Sequence, residues 1–477
     1  MIVIGGGLAG LAAGVALAET GCQVRLFEKR PFLGGRATSY VLPDGEHVDN
    51  CQHVTLGCCT NLEDFYRRAG SADKIKFFDR LVFVDAHGRP GVMQASPFCP
   101  APFHLSPSFT FFPLLTLRDK LAIARAMLDI SLGRGHTRDL DEPGGISMLE
   151  WLRRRRQTPG AIARFWRVVL VSALDEELER TDARYGVQVF WKAFLASRTG
   201  YRMGVPAVPL AELYDGCRAA MERKGGEVLL RAPVRGLRFE NGRAAGVQLD
   251  DGRMETADAY VLAVPHAALP ELLPAELLRN DPGLAQIGKL TDAPITGVHF
   301  WFDRAVMSEP FLSVLDCTTQ WIFNKTALYG AAGTANGGQY LQIVISASYD
   351  LLPRSRQEII DLCLGEVRQI LPAARTAVLR KATVIKETAA TFSPAPGCDR
   401  WRPRQQTATP GLFLAGDWTA TGWPATMEGA VRSGYLAAEA VLRDAASPQS
   451  FLQPDRPDDG LFKFWKPAAL RSRVQKQ

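Results

Sequence analysis

The chain is 477 residues long, room for two or three domains at ~150 residues each. With 47% hydrophobic and 22% charged residues it has an ordinary globular composition, which excludes a disordered, a collagen-like and a polytopic membrane protein. Lysine and arginine outnumber aspartate and glutamate by 56 to 50, too thin an excess to imply nucleic acid as a partner, although a local basic patch against anionic lipid stays open.

Residues 1–18 carry no charge and, by hydropathy alone, read as a signal peptide or a membrane span. No basic segment precedes them, and five of the eighteen are glycine. Ile2-Val3-Ile4 instead predicts a short buried strand, Gly5-Gly6-Gly7 a turn, residues 8–20 an Ala-rich helix ended by Gly21, and residues 24–28 a second strand. Gly5-x-Gly7-x-x-Gly10 within this start is the dinucleotide fingerprint. Gly5 permits the tight turn, Gly7 lets the backbone approach a pyrophosphate, and Gly10 lets helix and strand pack closely. The N–H groups of the helix start, at Leu8 and Ala9, face the phosphates. Glu28 ends the second strand and accepts from ribose hydroxyls. With no lead-in to the first strand, the natural start is expected slightly upstream of Met1.

Lys29 joins this cofactor-binding set beside Glu28. Gly34-Gly35-Arg36 then allows the backbone to run along a diphosphate, with Arg36 supplying a charge-assisted bond; the alternative is a surface turn with a solvated arginine. Residues 97–118 hold several phenylalanines and too many prolines for a long helix, so they read as a core loop or as a greasy entrance lid. Residues 117–132 predict an amphipathic helix. Arg153-Arg154-Arg155-Arg156 reads as a solvated helix face, with anionic lipid as the alternative. Residues 210–224 are a helical run, 227–230 a strand, and Val234 opens another. Gly242 and Asp251-Gly252 are turns, and residues 260–265 a buried strand.

Residues 412–415 are an apolar strand ending in Gly416-Asp417, which places Asp417 to bond a ribityl hydroxyl or a neighbouring backbone group. A helix opens at Thr426-Met427-Glu428, and its N-terminus can face a flavin ring and stabilise negative charge there. Glu428 reads equally as a first-turn acid complementing the helix dipole. After Arg443 the prolines and Asp458-Asp459-Gly460 read as a linker, followed by a basic aromatic tail from Leu461 suited to a membrane interface or to fraying.

On these marks the chain resembles the amine-oxidase and phytoene-desaturase superfamily of FAD enzymes, with Met427-Glu428-Gly429-Ala430 most like the plant-type carotenoid desaturase branch. Two stretches, residues 49–60 (Asp49-Asn50-Cys51-Gln52-His53 onward) and 416–430, are similar to the squalene-associated FAD-dependent desaturases, now understood as hydroxysqualene dehydroxylases. Cys51 departs from the glycine expected there. The resemblance reaches from the N-terminus to about Arg443. It implies an α/β fold with a Rossmann-like FAD-binding domain built from separated segments (1–80, 205–270 and 405–445) and an inserted α+β substrate-binding domain (81–204 and 271–404), followed by the linker and tail, 446–477. It also implies that Val234 contacts the adenine through its backbone.

The nine cysteines are irregularly spaced with no C-x-x-C pair, so they read as reduced thiols of a cytosolic protein. Neither H-E-x-x-H nor G-x-S-x-G occurs, so no metal or serine-hydrolase chemistry is expected. The resemblance points to reductive dehydroxylation of hydroxysqualene to squalene by hydride from reduced flavin. Oxidative desaturation of an isoprenoid, a flavin amine oxidase and a non-catalytic flavin-binding protein are the alternatives. The expected partners are a long lipophilic isoprenoid and the inner face of the membrane, approached from the cytoplasm. No motif specifies an electron donor or an oligomeric state. His53 and Asp49 are the candidates for proton work, with bracing of the FAD loop by Asp49 and Asn50 and simple packing of His53 as the alternative. Trp423 could stabilise a substrate cation through its π face.

Overall fold

The computed structural model describes residues 1–330 and 338–464. Five short, buried strands form an all-parallel sheet in the order 227–230, 25–28, 2–4, 260–262, 412–414. The first strand lies at the centre, and its neighbours come from distant parts of the chain. Burial on both faces explains why the three strands 2–4, 260–262 and 412–414 are apolar runs rather than alternating ones. The chain therefore has the expected Rossmann-like sheet assembled from separated segments.

Leu8–Glu19 is buried from Leu8 through Ala18, so residues 1–18 form a strand, turn and core helix. Gly21, at φ +88°, follows it as predicted. On one side this helix packs against Met427–Asp444, the last long helix. The two backbones come so close that a Cβ on Gly434 would lie 2.3 Å from the Ala9 carbonyl oxygen. Among the described residues no helix is long and apolar enough to cross a membrane.

A second, seven-stranded mixed sheet runs in the order 379–392, 292–302, 339–345, 321–324, 311–314, 80–84, 90–94. Helices from 117 to 195 stand beside it around an aromatic cluster of Trp151, Phe165, Trp166 and Phe190. Leu117–Leu132 forms as predicted, with a Thr116–Asp119 capping box at its start.

The structure refines four local readings. The helical run over 210–224 is broken into a 3₁₀ turn, Leu210–Leu213, and a helix, Asp215–Glu222. Tyr214 is fully buried between them, and Gly216 sits against the Ala69 carbonyl, where a Cβ would lie 1.8 Å from the oxygen. The proline-rich stretch at 97–118 contains two short helical pieces, Phe103–Leu105 and Ser106–Thr110. Of the arginine run, Arg153, Arg154 and Arg156 are exposed, as a solvated face requires; Arg154 pairs with Glu142 and Glu150, and Arg155 alone is drawn in, pairing with Asp139 and lying 3.8 Å over the Trp151 ring. The segment after the last helix has no regular structure but is strapped down. Phe451 is buried, Gln453 N–H donates to Asn61 Oδ1 at 2.8 Å, and Asp459 N–H donates to the Ala196 carbonyl at 2.7 Å. The basic part of the tail, from residue 465, lies outside the described residues.

The helix crossing yields a test. Gly434→Val should lower stability by ~1–3 kcal/mol through overpacking against backbone, seen as a fall in Tm. An unchanged Tm would show that the two helices are not held at this distance.

Candidate active site

The dinucleotide turn is built by backbone contacts that exclude side chains. A Cβ on Gly5, at φ +109°, would meet the Ala263 carbonyl oxygen at 2.4 Å, and one on Gly10 would meet the Gly5 oxygen at 2.0 Å. Gly7 is the N-cap of the first helix and caps it with no side chain. The first-turn N–H groups at Leu8 and Ala9 are therefore available to an anion. A Cβ on Gly7 would meet nothing closer than 3.9 Å, so the space above it is open. Glu28 is buried, accepting from Gly6 N–H at 2.6 Å and Arg30 N–H at 2.8 Å. Lys29 beside it is exposed. Val234 is half-buried at the start of its strand, and Ala232 N–H donates to the Glu28 carbonyl at 2.9 Å. That bond brings the 232–234 segment to the end of the strand that carries Glu28.

Gly34 and Gly35 fold back onto this turn. Gly34 N–H donates to the Gly6 carbonyl at 2.8 Å. Arg36 then reaches across to the C-terminal mark, donating to Asp417 Oδ1 at 2.8 Å and to the Ala390 carbonyl at 2.9 Å. Gly416 N–H is held by Ser433 Oγ at 2.8 Å. The loop after Asp417 is organised by a residue the sequence reading missed. Buried Arg402 donates to the carbonyls of Asp417, Thr419 and Trp423 at 3.0, 2.6 and 2.8 Å. No motif surrounds Arg402, and the carbonyls it holds lie 15 to 21 residues away.

Thr426 caps the last helix by accepting from Gly429 N–H at 3.0 Å. Met427 is half-buried beside it. Glu428 does more than complement its own helix. It accepts from Leu62 N–H at 2.7 Å and Asn61 Nδ2 at 2.9 Å, so it holds the start of a second helix, Thr60–Arg68. Burial pushes its pKa above the ordinary carboxylate value despite these donors.

Residues 49–53 lie between the two sheets. Asp49 is buried and accepts from Ser39 Oγ, Lys325 Nζ, Tyr329 Oη and Leu210 N–H at 2.7, 2.7, 2.7 and 3.1 Å. Burial would raise its pKa, but Lys325 and these hydrogen bonds hold it below the ordinary value. Asp49 is thus an ionised hub that joins Ser39, Leu210 and the short helix Lys325–Tyr329. Lys325, another residue without a sequence signal, is fully buried. His53 is half-buried, with Nδ1 3.0 Å from the Cys51 carbonyl, and burial lowers its pKa below 6.5. Trp423 is buried, with Lys192 and Arg432 lying 5.3 and 5.5 Å from its ring centre.

A cavity of about 760 Å³ runs beside these residues, within the ~300–1,000 Å³ of small-molecule sites. Gln52, Trp423, Met427 and Glu428 line one part, and Phe103, Leu128, Leu132 and Leu461 another. Those last four side chains are between 47% and 56% exposed, so they mark its mouth. His53 and Asp49 do not line the cavity.

Residues 8–442 match the family model for flavin containing amine oxidoreductases. The chain is 27% identical to a zeta-carotene desaturase of Synechocystis sp., over 94% of this chain and 98% of that protein. It is 26% identical to the 15-cis-phytoene desaturase of Solanum lycopersicum, over 93% and 78% of the two. An oxidoreductase from Methanosarcina mazei has the same fold, with a TM-score of 0.70 at 18% identity over 93% of this chain and 99% of that one. The chain belongs to the flavin containing amine oxidoreductase family and is an FAD-dependent oxidoreductase. The site fits that cofactor: the uncapped helix start and the open face of Gly7 form a phosphate cradle, and Asn50, whose Nδ2 donates to the Arg36 carbonyl at 2.9 Å, buries its Oδ1 without a partner among the described residues.

The cradle can be tested. Because nothing in the protein crowds Gly7, Gly7→Val should fold with a Tm near that of the FAD-free parent protein, yet it should emerge colourless, since the side chain fills the space the pyrophosphate needs. Flavin absorbance per protein checks this. A yellow variant with full occupancy would remove Gly7 from the cradle.

Proposed function

We propose that the chain reductively dehydroxylates a long isoprenoid alcohol, hydroxysqualene, to squalene. The observation that carries the isoprenoid part is the apolar cavity leading from an exposed rim to the start of the Met427 helix. The support for the reductive direction is the resemblance of residues 49–60 and 416–430 to the hydroxysqualene dehydroxylases. When bound and reduced, FAD supplies a hydride. The net change would break the allylic C–O bond with its electron pair leaving on oxygen, which would depart as water with one proton drawn from the medium, and would form a C–H bond with that hydride.

The chain's own part is to exclude water and orient the substrate. Charged groups at the cavity are turned into internal pairs: Arg164 with Asp316, Lys192 with Asp455, and Glu428 with Arg432. A hydrocarbon chain then meets a lining that is apolar over most of its length. A second reading, oxidative isoprenoid desaturation, is favoured by the relatives named zeta-carotene and phytoene desaturase.

A lipid surface is the source of such a substrate. Helix Leu117–Leu132 buries Ile123, Ala126 and Ile130 and exposes Leu117, Leu121, Leu128 and Leu132. These four recur at helical spacing on one face, beside the exposed Arg118 and Arg125. Phe98, Phe111 and Phe464 are 92%, 84% and 87% exposed. We place the protein in the cytoplasm with this rim against the inner face of the membrane, where apolar residues and flanking cations suit the interface.

Two measurements test these readings. In an anaerobic single turnover, reduced holoenzyme mixed with hydroxysqualene should form squalene as oxidised-flavin absorbance rises. Bleaching of oxidised enzyme by a polyprenyl hydrocarbon, with no response of reduced enzyme to the alcohol, would establish the desaturase reading instead. In flotation with anionic vesicles, Leu117→Glu/Leu121→Glu should leave most protein in the unbound fraction while keeping its FAD. Flotation equal to the parent protein would exclude this helix face as the contact.

A further inference from the structure

The polar side chains of the cavity are mostly committed elsewhere. Glu428 is saturated by Asn61, Leu62 and Arg432, Gln188 Nε2 donates to the Gly422 carbonyl at 2.9 Å, and Lys192 pairs with Asp455. Gln52 differs. It is only 8% exposed, yet it lines the cavity together with Trp423, Met427 and Glu428.

The orientation of its amide follows from its partner. Lys325 Nζ lies 2.6 Å from Oε1 and 2.7 Å from Asp49 Oδ2. An ammonium group only donates, so the amide oxygen must face Lys325 and the NH₂ must face away. One of its two N–H bonds goes to the His53 carbonyl at 3.1 Å, and the other has no protein acceptor among the described residues. Lys325 cannot turn away, because Asp49 fixes it and the Tyr329 ring lies 4.3 Å from Nζ. The Asp49–Lys325–Gln52 chain thus holds one N–H donor at a wall whose other polar side chains are mostly committed elsewhere.

We propose that Gln52 Nε2 donates to an oxygen on the substrate and is the group by which this site distinguishes an isoprenoid alcohol from the corresponding hydrocarbon, with Lys325 as the positioning residue behind it. The assignment rests on the reading of the substrate as a long isoprenoid alcohol. A donor in this position holds the C–O end of the chain beside the flavin-binding residues. It offers nothing to a hydrocarbon, which would leave the N–H buried and unpaired.

The experiment needs no turnover. Oxidised holoenzyme is titrated with hydroxysqualene and separately with squalene in the same micelles, and binding is read from the flavin absorbance change. The parent protein should bind the alcohol about 3- to 10-fold more tightly, the range of one net hydrogen bond. Gln52→Met, of similar length with no donor, should keep its FAD and bind the two ligands equally, by loosening the alcohol alone. Should that variant fail to fold, Gln52→Asn, which withdraws the donor by one methylene, should still lose most of the preference. Full preference in either folded variant overturns the assignment and leaves the dehydroxylase reading standing. Loss of FAD from folded Gln52→Met overturns it by making Gln52 a flavin ligand. No preference in the parent protein overturns the assignment, and the single turnover with hydroxysqualene then decides the substrate reading by itself.

Discussion

Arg36 and Asp417 are 381 residues apart and meet at 2.8 Å. Asp417 is almost buried and Arg36 partly so, a position in which the Coulomb gain offsets desolvation only if the remaining hydrogen-bonding capacity of both groups is used. Arg36 uses a second N–H on the Ala390 carbonyl, and Arg402 pins the backbone carbonyl of Asp417, which fixes the loop that carries the carboxylate. Asp417 reaches Arg36 only once the strand 412–414 has paired with 260–262, and that strand with 2–4. The cofactor site is therefore a consequence of the complete sheet, and the ion pair joins the two ends of the chain across it.

What was legible in the sequence follows from this geometry. The first strand, turn and helix are local: Gly5 and Gly10 answer contacts within a few residues or in the adjoining strand, and Gly7 is left open. Spacing alone was enough to place Gly5, Gly7 and Gly10. The strand before Gly416 and the helix after Thr426 are likewise local, and the helix over 117–132 carries its own capping box. Arg402, Lys325 and the second duty of Glu428 were not legible. Each acts on groups brought near by folding, and an arginine or lysine in an irregular stretch has no periodicity to mark it. The break at Tyr214 was hidden for a related reason, because it depends on Gly216 meeting Ala69, almost 150 residues earlier.

The strap formed by residues 447–459 belongs to the same class. Its prolines and acids resemble a free linker. Its order comes from partners elsewhere: Asn61, Glu63 and Ala196 all bond it. Asn61 is also held by Glu428, so the strap, the helix Thr60–Arg68 and the last helix share one buried polar contact. A composition signal for disorder reports what a segment can bury by itself, and this segment is ordered by hydrogen bonds that the rest of the chain supplies.

Cofactor half and substrate half differ in what their packing tolerates. Around the dinucleotide turn the neighbours of Gly5, Gly10 and Gly434 are backbone atoms closer than 2.5 Å to any added Cβ; backbone cannot move aside, so these positions are fixed by the fold. Across the cavity the walls are Phe, Leu, Met and Trp side chains, whose shapes can be exchanged at nearly constant volume. A family that keeps one flavin and changes its substrate will therefore vary in the second half and conserve the first. The same reasoning limits how many polar groups are left to recognise a substrate. Once Arg164, Lys192 and Glu428 are neutralised by internal partners, the wall carries little that can recognise a functional group, and under the proposed reading a single oriented amide would separate one long isoprenoid from another.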